Sequence, residues 1–214
     1  MEKPSPKANA ITERERSIIS ESTTLISFFA VFFRQKYINR WGLMRNSRME
    51  NISEHSLETA FIAHALAIIE NKRFGGKVDA EKAAVLALFH DTPEIITGDL
   101  PTPVKYYSSE IKKAYDDMEQ VAVEKLLNYL PEDLRPEFEA IYNEKDEHIL
   151  KIIRAADKLS ALIKCRDELK MGNREFLLAE KSALKAIESL ELPAANVFLD
   201  EFLPSFSLSL DEQQ

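Results

Sequence analysis

Residues 86–103 read LALFHDTPEIITGDLPTP, and the acid–base chemistry of the chain is concentrated there. His90 and Asp91 end an apolar run, where a charged carboxylate is expensive unless it is paired or bound to a cation. Glu94 follows His90 by four residues and Asp91 by three, so all three face one pocket if the helix continues. Pro93 tightens or bends that turn and weakens a plain helical-wheel argument. Asp99, just after Gly98, makes three carboxylates within nine residues. In a dry site their mutual repulsion calls for a metal ion or a basic ligand-binding group. The plainer alternative for a lone His-Asp pair is a helix end with an exposed acid.

Two other positions favour the metal. His55 stands in ENISEHSLETAFIAHAL, at the start of a strongly apolar helix. His64 lies nine residues on, which at ~100° per residue is the opposite side of the same helix. Both cannot serve one ion, so His55, nearer the polar segment, is the candidate and His64 a packing histidine. Asp157 lies in HILKIIRAADKLSALIKC, on the flank of a stripe made by Ile149, Ile152, Ile153, Ala156 and Ile163. It is either a surface partner of Arg154 or Lys158, worth little, or a metal carboxylate. Two imidazoles and two carboxylates from three helices suit a divalent transition metal with positions left for water and substrate. His148 reads as exposed and uninvolved, and Cys165 as a small buried hydrophobe.

Helices must carry these side chains, because nearly everything past residue 21 has helical period. Residues 1–21 read as a mobile extension, and 22–214 as one domain. A helix over 22–37 leads into an irregular segment through Asn51, and Ser53 is the expected cap for a helix over 54–71. Gly75-Gly76 breaks the chain, Asp79 caps a helix running to His90, and Gly98, Pro101 and Pro103 mark a loop. Ser108 or Ser109 opens a long helix ending near Pro131. A short helix to about Tyr142 follows, then helices over 144–171 and 174–191 separated by Gly172-Asn173. Pro193 and Pro204 bracket a last short helix. No strand pattern or repeat stands out, and the expected fold is all-α.

Composition narrows the function. The 214 residues hold 28 Lys+Arg against 36 Asp+Glu, a net charge of −8, which disfavours coating nucleic acid. There are 5 glycines, well under the usual ~7%. No GxGxxG or GxxxxGK[ST] string is present, so β-barrels, Rossmann domains and P-loop NTPases fit poorly. One cysteine excludes an intrachain disulfide scaffold. The longest apolar run, LISFFAVFF at 25–33, is short of the ~20 residues that span a bilayer. The cytoplasm, with no membrane partner, is therefore the expected location. Residues 1–54 nonetheless carry nine bases and six acids, a net +3, and the rest −11. Within 34–48 there are five bases (Arg34, Lys36, Arg40, Arg45, Arg48) and no acid.

The pattern His…His-Asp…Asp resembles the HD-domain phosphohydrolase superfamily. INRWGLMRNSRMENISEHSLETA, HDTPEIITGDLPTPVKYY and FLPSFSLSLDE are similar to the YfbR-like bacterial 5′-deoxynucleotidases, over about residues 25–212. The resemblance implies an HD-domain helical bundle and a homodimer. It implies metal ligands His55, His90, Asp91 and Asp157, holding one divalent ion per subunit such as Co²⁺ or Mn²⁺. It implies catalytic carboxylates Glu94 and Asp99, whose base and acid roles are exchangeable, and substrate contacts from Arg40 and Trp41. Gly42 and Pro93 depart from the family pattern but spare the chemical groups. The implied substrate is a deoxynucleoside 5′-monophosphate, a dianion that a metal and Arg40 can neutralise. Trp41 is either a core anchor or a ring against the sugar, disfavouring a 2′-hydroxyl by ~10²-fold at most. Lys105 is a phosphate ligand or a solvated lysine. The competing expectations are an HD phosphohydrolase for cyclic nucleotides, (p)ppGpp or dNTPs, and a non-enzymatic helical module with a structural metal.

Overall fold

A computed structural model of the chain describes residues 27–213, which form helices and turns with a single isolated β-bridge, Asn39 to Asn51. The architecture is all-α, as expected. The expected extension at 1–21 and the first residues of the 22–37 helix lie outside the described residues. Helix α1, Phe28–Phe32, runs into a 3₁₀ turn at Phe33–Tyr37. The bridge then closes the mouth of a loop over residues 40–50: Arg40 N–H donates to Glu50 O at 2.9 Å and Ile52 N–H to Ile38 O at 3.0 Å.

Helix α2, Ile52–Arg73, is capped by Asn51, two residues ahead of the expected Ser53. Asn51 Oδ1 accepts the backbone N–H groups of Ser53 and Glu54, and Glu54 reaches back to Asn51 N. This reciprocal capping box satisfies more orphan donors than a lone serine can, and it leaves His55 in the first turn. Helix α3, Ala80–Phe89, starts at the expected cap Asp79, which accepts from Lys82 N.

Two short helices follow, α4 (Glu94–Thr97) and α5 (Thr102–Lys105). The latter interrupts the expected loop because Pro103, at the first turn, needs no intrahelical N–H partner. Helix α6, Ser109–Leu127, is capped by Ser108, and α7 spans Arg135–Tyr142. Helix α8, Glu147–Lys170, starts later than expected because Asp146 caps it. The expected helix over 174–191 is divided. Asn173 caps a 3₁₀ turn, Arg174–Phe176, before α9, Leu177–Ser189. The expected last helix is α10, Pro193–Val197, continued by a π turn at Phe198–Phe202 and 3₁₀ turns beyond. Pro204 cannot donate to that ladder, which forces the irregular winding.

The main core is built by α2, α3, α8 and the segments after it, with Ala63, Leu66, Ala87, Ile152, Leu159 and Leu162 wholly buried. Each such Leu or Ile contributes roughly 1.5–3 kcal/mol through burial. The expected stripe of Ile149, Ile152, Ile153, Ala156 and Ile163 is buried. A second aromatic cluster joins α1 to α6 and α7 through Phe28, Leu126 and Leu127. Cys165 is buried, and burial pushes its thiol up to about 12, as befits an inert small hydrophobe. Helix α8 also buries polar side chains: Ser160, Lys164 and Glu168. Among the described residues no helix is long and apolar enough to cross a membrane.

Candidate active site

The turn after α3 sets the site. Thr92 N–H bonds to Phe89 O and Glu94 N–H to Asp91 O, so the chain leaves the α-helix in tight turns before Pro93. Thr92 is buried; its hydroxyl donates to Phe89 O and pairs with Tyr142 Oη at 2.8 Å, fixing the turn to α7. Asp91 is thereby aimed at the first turn of α2. Its Oδ2 lies 3.4 Å from His55 Nε2 and 3.2 Å from His90 Nε2. Asp157 enters from α8, with Oδ1 3.1 Å from His55 Nε2 and Oδ2 accepting from Lys158 Nζ at 2.9 Å. The four residues expected to share a site converge from α2, the α3 turn and α8. The surface pair with Lys158 and the contact with His55 coexist on the two oxygens of Asp157.

The donor set fits a divalent cation. His55, His90 and Asp91 each offer an atom, all within 4.8 Å of one another. His90 Nδ1 is satisfied by Ala87 O at 2.7 Å, while its Nε2 is buried without a hydrogen-bond partner. A buried, unpartnered imidazole nitrogen among carboxylates is costly unless a cation accounts for it. Burial, and then Arg40, hold His55 down at about 4. Burial also depresses His90, but the charges of Asp91 and Asp157 outweigh it, leaving His90 raised. For Asp91 burial pulls upward, and His90 foremost, with His55 and Arg40, holds it well below the usual carboxylate range.

The 40–50 loop delivers a guanidinium to this cluster. Arg40 Nη1 donates to Asp91 Oδ2 at 3.1 Å, and its Nε lies 3.3 Å from Glu50 Oε2. Trp41 adopts φ 59°, a left-handed conformation rare for a bulky residue. Its indole N–H donates to Glu50 Oε2 at 2.6 Å, and its ring meets Phe176 at 5.3 Å between centroids. Trp41 is thus half-buried, anchored on one side and facing a cavity on the other.

Glu94 is 6% exposed with Oε2 unpartnered. Burial first, then Asp91 and Asp99, push it up to about 10. Burial also raises Asp99, and Arg40 partly offsets this. The turn at Gly98, φ 75°, is what brings Asp99 back towards Glu94. Lys105 pairs with Glu119 at 3.0 Å and stacks over Tyr115, and it does not line the cavity. His148 is half-exposed beside Glu70, and His64 is half-buried away from the cluster.

A cavity of about 640 Å³ opens on this cluster, walled by Arg40, Trp41, Asp99, Tyr106, Asp157 and Lys158 together with the face of α9 around Ala183. Arg40 and Asp157 each touch the cluster and the cavity, joining charged floor to open space. Sequence reasoning missed Glu50, Phe176, Ser160 and Glu168, and gave Lys158 only as a surface partner of Asp157. Glu50 had a readable signal, as the acid that ends the acid-free window just before the Asn51 cap. Lys158 and Ser160 had one too, being one and three residues from Asp157. Phe176 and Glu168 had none, since Trp41, Ser47 and Arg48, which they meet, are more than 100 residues away.

The 5′-deoxynucleotidase YfbR-like family matches residues 27–206. A 5′-deoxynucleotidase of Vibrio vulnificus is 50% identical over 187 residues, covering 86% of this chain and 96% of the relative. An HD-domain phosphohydrolase from Listeria innocua superposes with TM-score 0.75 at 24% identity, covering 87% of this chain and 91% of that one. A cyanophage S-2L HD phosphohydrolase, bound to dA and one catalytic Zn²⁺, gives TM-score 0.61 at 17% identity, covering 83% and 95%, and so shares the fold. With the whole HD cluster carried on the matched segment, the chain belongs to the YfbR-like 5′-deoxynucleotidase family.

Proposed function

We propose that this protein is a metal-dependent phosphomonoesterase that hydrolyses deoxyribonucleoside 5′-monophosphates to deoxynucleoside and phosphate. The carrying observation is the 3.1 Å contact of Arg40 with Asp91, which sets a phosphate-binding guanidinium on the candidate metal cluster beside the cavity. His55, His90, Asp91 and Asp157 hold one divalent cation per subunit, Co²⁺ or Mn²⁺ being the expected occupants. That ion supplies charge neutralisation at the phosphate and acidifies water. Arg40 grips the phosphate as a planar fork. Glu94 positions the attacking water and takes its proton, the P–O5′ bond breaks, and Asp99 protonates the departing 5′ oxygen. A cation beside Asp91 would offset the repulsion that adds to burial in raising Glu94.

The test is metal add-back. The chelator-stripped protein receives Co²⁺, Mn²⁺, Mg²⁺ or Zn²⁺ separately, and phosphate release is followed from dAMP, AMP, dATP and cAMP. Restoration with dAMP is expected; no metal-restored release from either monophosphate would overturn the assignment. Preferential release from dATP or cAMP would favour another HD phosphohydrolase.

Trp41 is proposed to pack its cavity face against the sugar. Trp41→Ala should bring the ratio of kcat/KM for dAMP over AMP towards unity, from a starting preference of up to ~10²-fold. An unchanged ratio would assign Trp41 to loop anchoring alone. The protein is further proposed to work as a cytoplasmic homodimer. Exposed Phe29 and Phe33 supply apolar surface for it, and light scattering reads the mass.

A further inference from the structure

We propose that Ser160 and Glu58 form a hydrogen-bonded relay that fixes His55 in its Nδ1–H tautomer and aims its Nε2 lone pair at the metal seat. His55 and Ser160 are both fully buried, and His55 Nδ1 lies 3.1 Å from Ser160 Oγ. The hydroxyl has one proton, and the geometry places it on Glu58: Ser160 Oγ donates to Glu58 Oε2 at 3.3 Å. Ser160 can then only accept from the imidazole, so Nδ1 carries the ring proton and Nε2 is bare. The bare nitrogen stands 3.1 Å from Asp157 Oδ1 and 3.4 Å from Asp91 Oδ2, with Thr59 Oγ1 at 3.5 Å. A lone pair facing two carboxylate oxygens is repelled by both, and a cation among the three turns that repulsion into coordination.

His90 reaches the same orientation by a different route, its Nδ1 held by Ala87 O at 2.7 Å. That backbone acceptor is fixed by α3. The acceptor for His55 is a rotatable hydroxyl, which could instead donate to Nδ1 and leave the ring proton on Nε2. Glu58 removes that option. It sits three residues after His55 on α2, while Ser160 sits three after Asp157 on α8, so the relay cross-braces the helices that carry two of the proposed ligands. Glu58 lies at its outer end, on a second cavity that also includes Arg48 and Asp167. Ser160 and Glu58 touch neither substrate nor reacting atoms. They are positioning residues.

This inference rests on His55 serving as a ligand, and its test separates the two ideas. Mn²⁺ dissociation constants are measured by chelator competition for the wild type, Ser160→Ala, Glu58→Ala and Glu58→Gln. The histidine tautomers of the metal-free wild type and of Glu58→Ala are read by ¹⁵N NMR. Ser160→Ala should bind Mn²⁺ about 10–100-fold more weakly. Glu58→Ala should also weaken it and shift His55 towards the Nε2–H tautomer. Glu58→Gln, which keeps an acceptor oxygen, should stay within a few-fold of the wild type. An Nε2–H tautomer in the wild type overturns the relay, as does Ser160→Ala with unchanged Mn²⁺ affinity beside a binding wild type. A wild type that holds no Mn²⁺ overturns the ligand assignment and the relay with it. If Ser160→Ala fails to fold, the solvent-facing Glu58 pair and the wild-type spectrum decide the matter.

Discussion

Asp91→Asn is expected to lower metal-restored phosphate release from dAMP by about 10³-fold or more and to strip the bound metal. One oxygen of Asp91 meets Arg40 at 3.1 Å, His90 at 3.2 Å and His55 at 3.4 Å. The amide preserves shape and can still accept the Arg40 N–H, so the change removes charge and little else. Losing one preorganised electrostatic group at a reacting centre costs roughly 10²–10³ in rate, and loss of the cation compounds it. The measurements are kcat with saturating Mn²⁺ and metal content after desalting. A variant that turns over within tenfold of wild type and retains stoichiometric metal would remove Asp91 from the site.

The second large effect concerns stability. Glu168 is 1% exposed and accepts from Ser47 N at 2.9 Å, Arg48 N at 3.2 Å and Asn173 Nδ2 at 2.8 Å. It also pairs with buried Lys164, which in turn bonds to Arg48 O. Glu168→Ala leaves that ammonium buried without its partner, a loss of roughly 3–5 kcal/mol. For a chain of this size the melting temperature should fall on the order of 10 °C. Burial alone would raise the Glu168 carboxyl, but Lys164, Ser47 and Asn173 outweigh it and hold it below the usual range. The stabilisation is therefore present above the unfolded value, near ~4.3, and is lost as pH falls below it. The gap between wild type and Glu168→Ala should be full at pH 7 and narrower at pH 4. A gap that widens on acidification would contradict this sign.

The candidate site was more legible than its support. His90, Asp91, Glu94 and Asp99 fall within ten residues, so local spacing alone put them in one turn. His55 and Asp157 were readable because each interrupts an apolar helical face. Lys164 and Glu168 were not: an i,i+4 Lys-Glu pair reads as a solvated helix flank, and only the fold shows that residues 47–48 and Asn173 cover it. The cap of α2 was misplaced for a related reason. Ser53 is the stronger single-residue signal before Glu54, yet Asn51 wins by forming two reciprocal bonds and a bridge to Asn39. The winding after Val197 was hidden because aromatic packing and Pro204, rather than helical period, govern it.

The inward-facing polar residues of α8 carry a consequence for how the chain can vary. Asp157, Lys164 and Glu168 are seven and eleven residues apart, which at ~100° each places them within about 20° of one meridian and the ends ~16 Å apart. One end grips the proposed cation and the other grips the loop that presents Arg40 and Trp41. Helix α8 is thus a measuring rod between the proposed cation seat and the 40–50 loop. A one-residue insertion between positions 157 and 168 would swing one end by ~100° and detach it. The spacing of this helix is therefore constrained as well as its buried face.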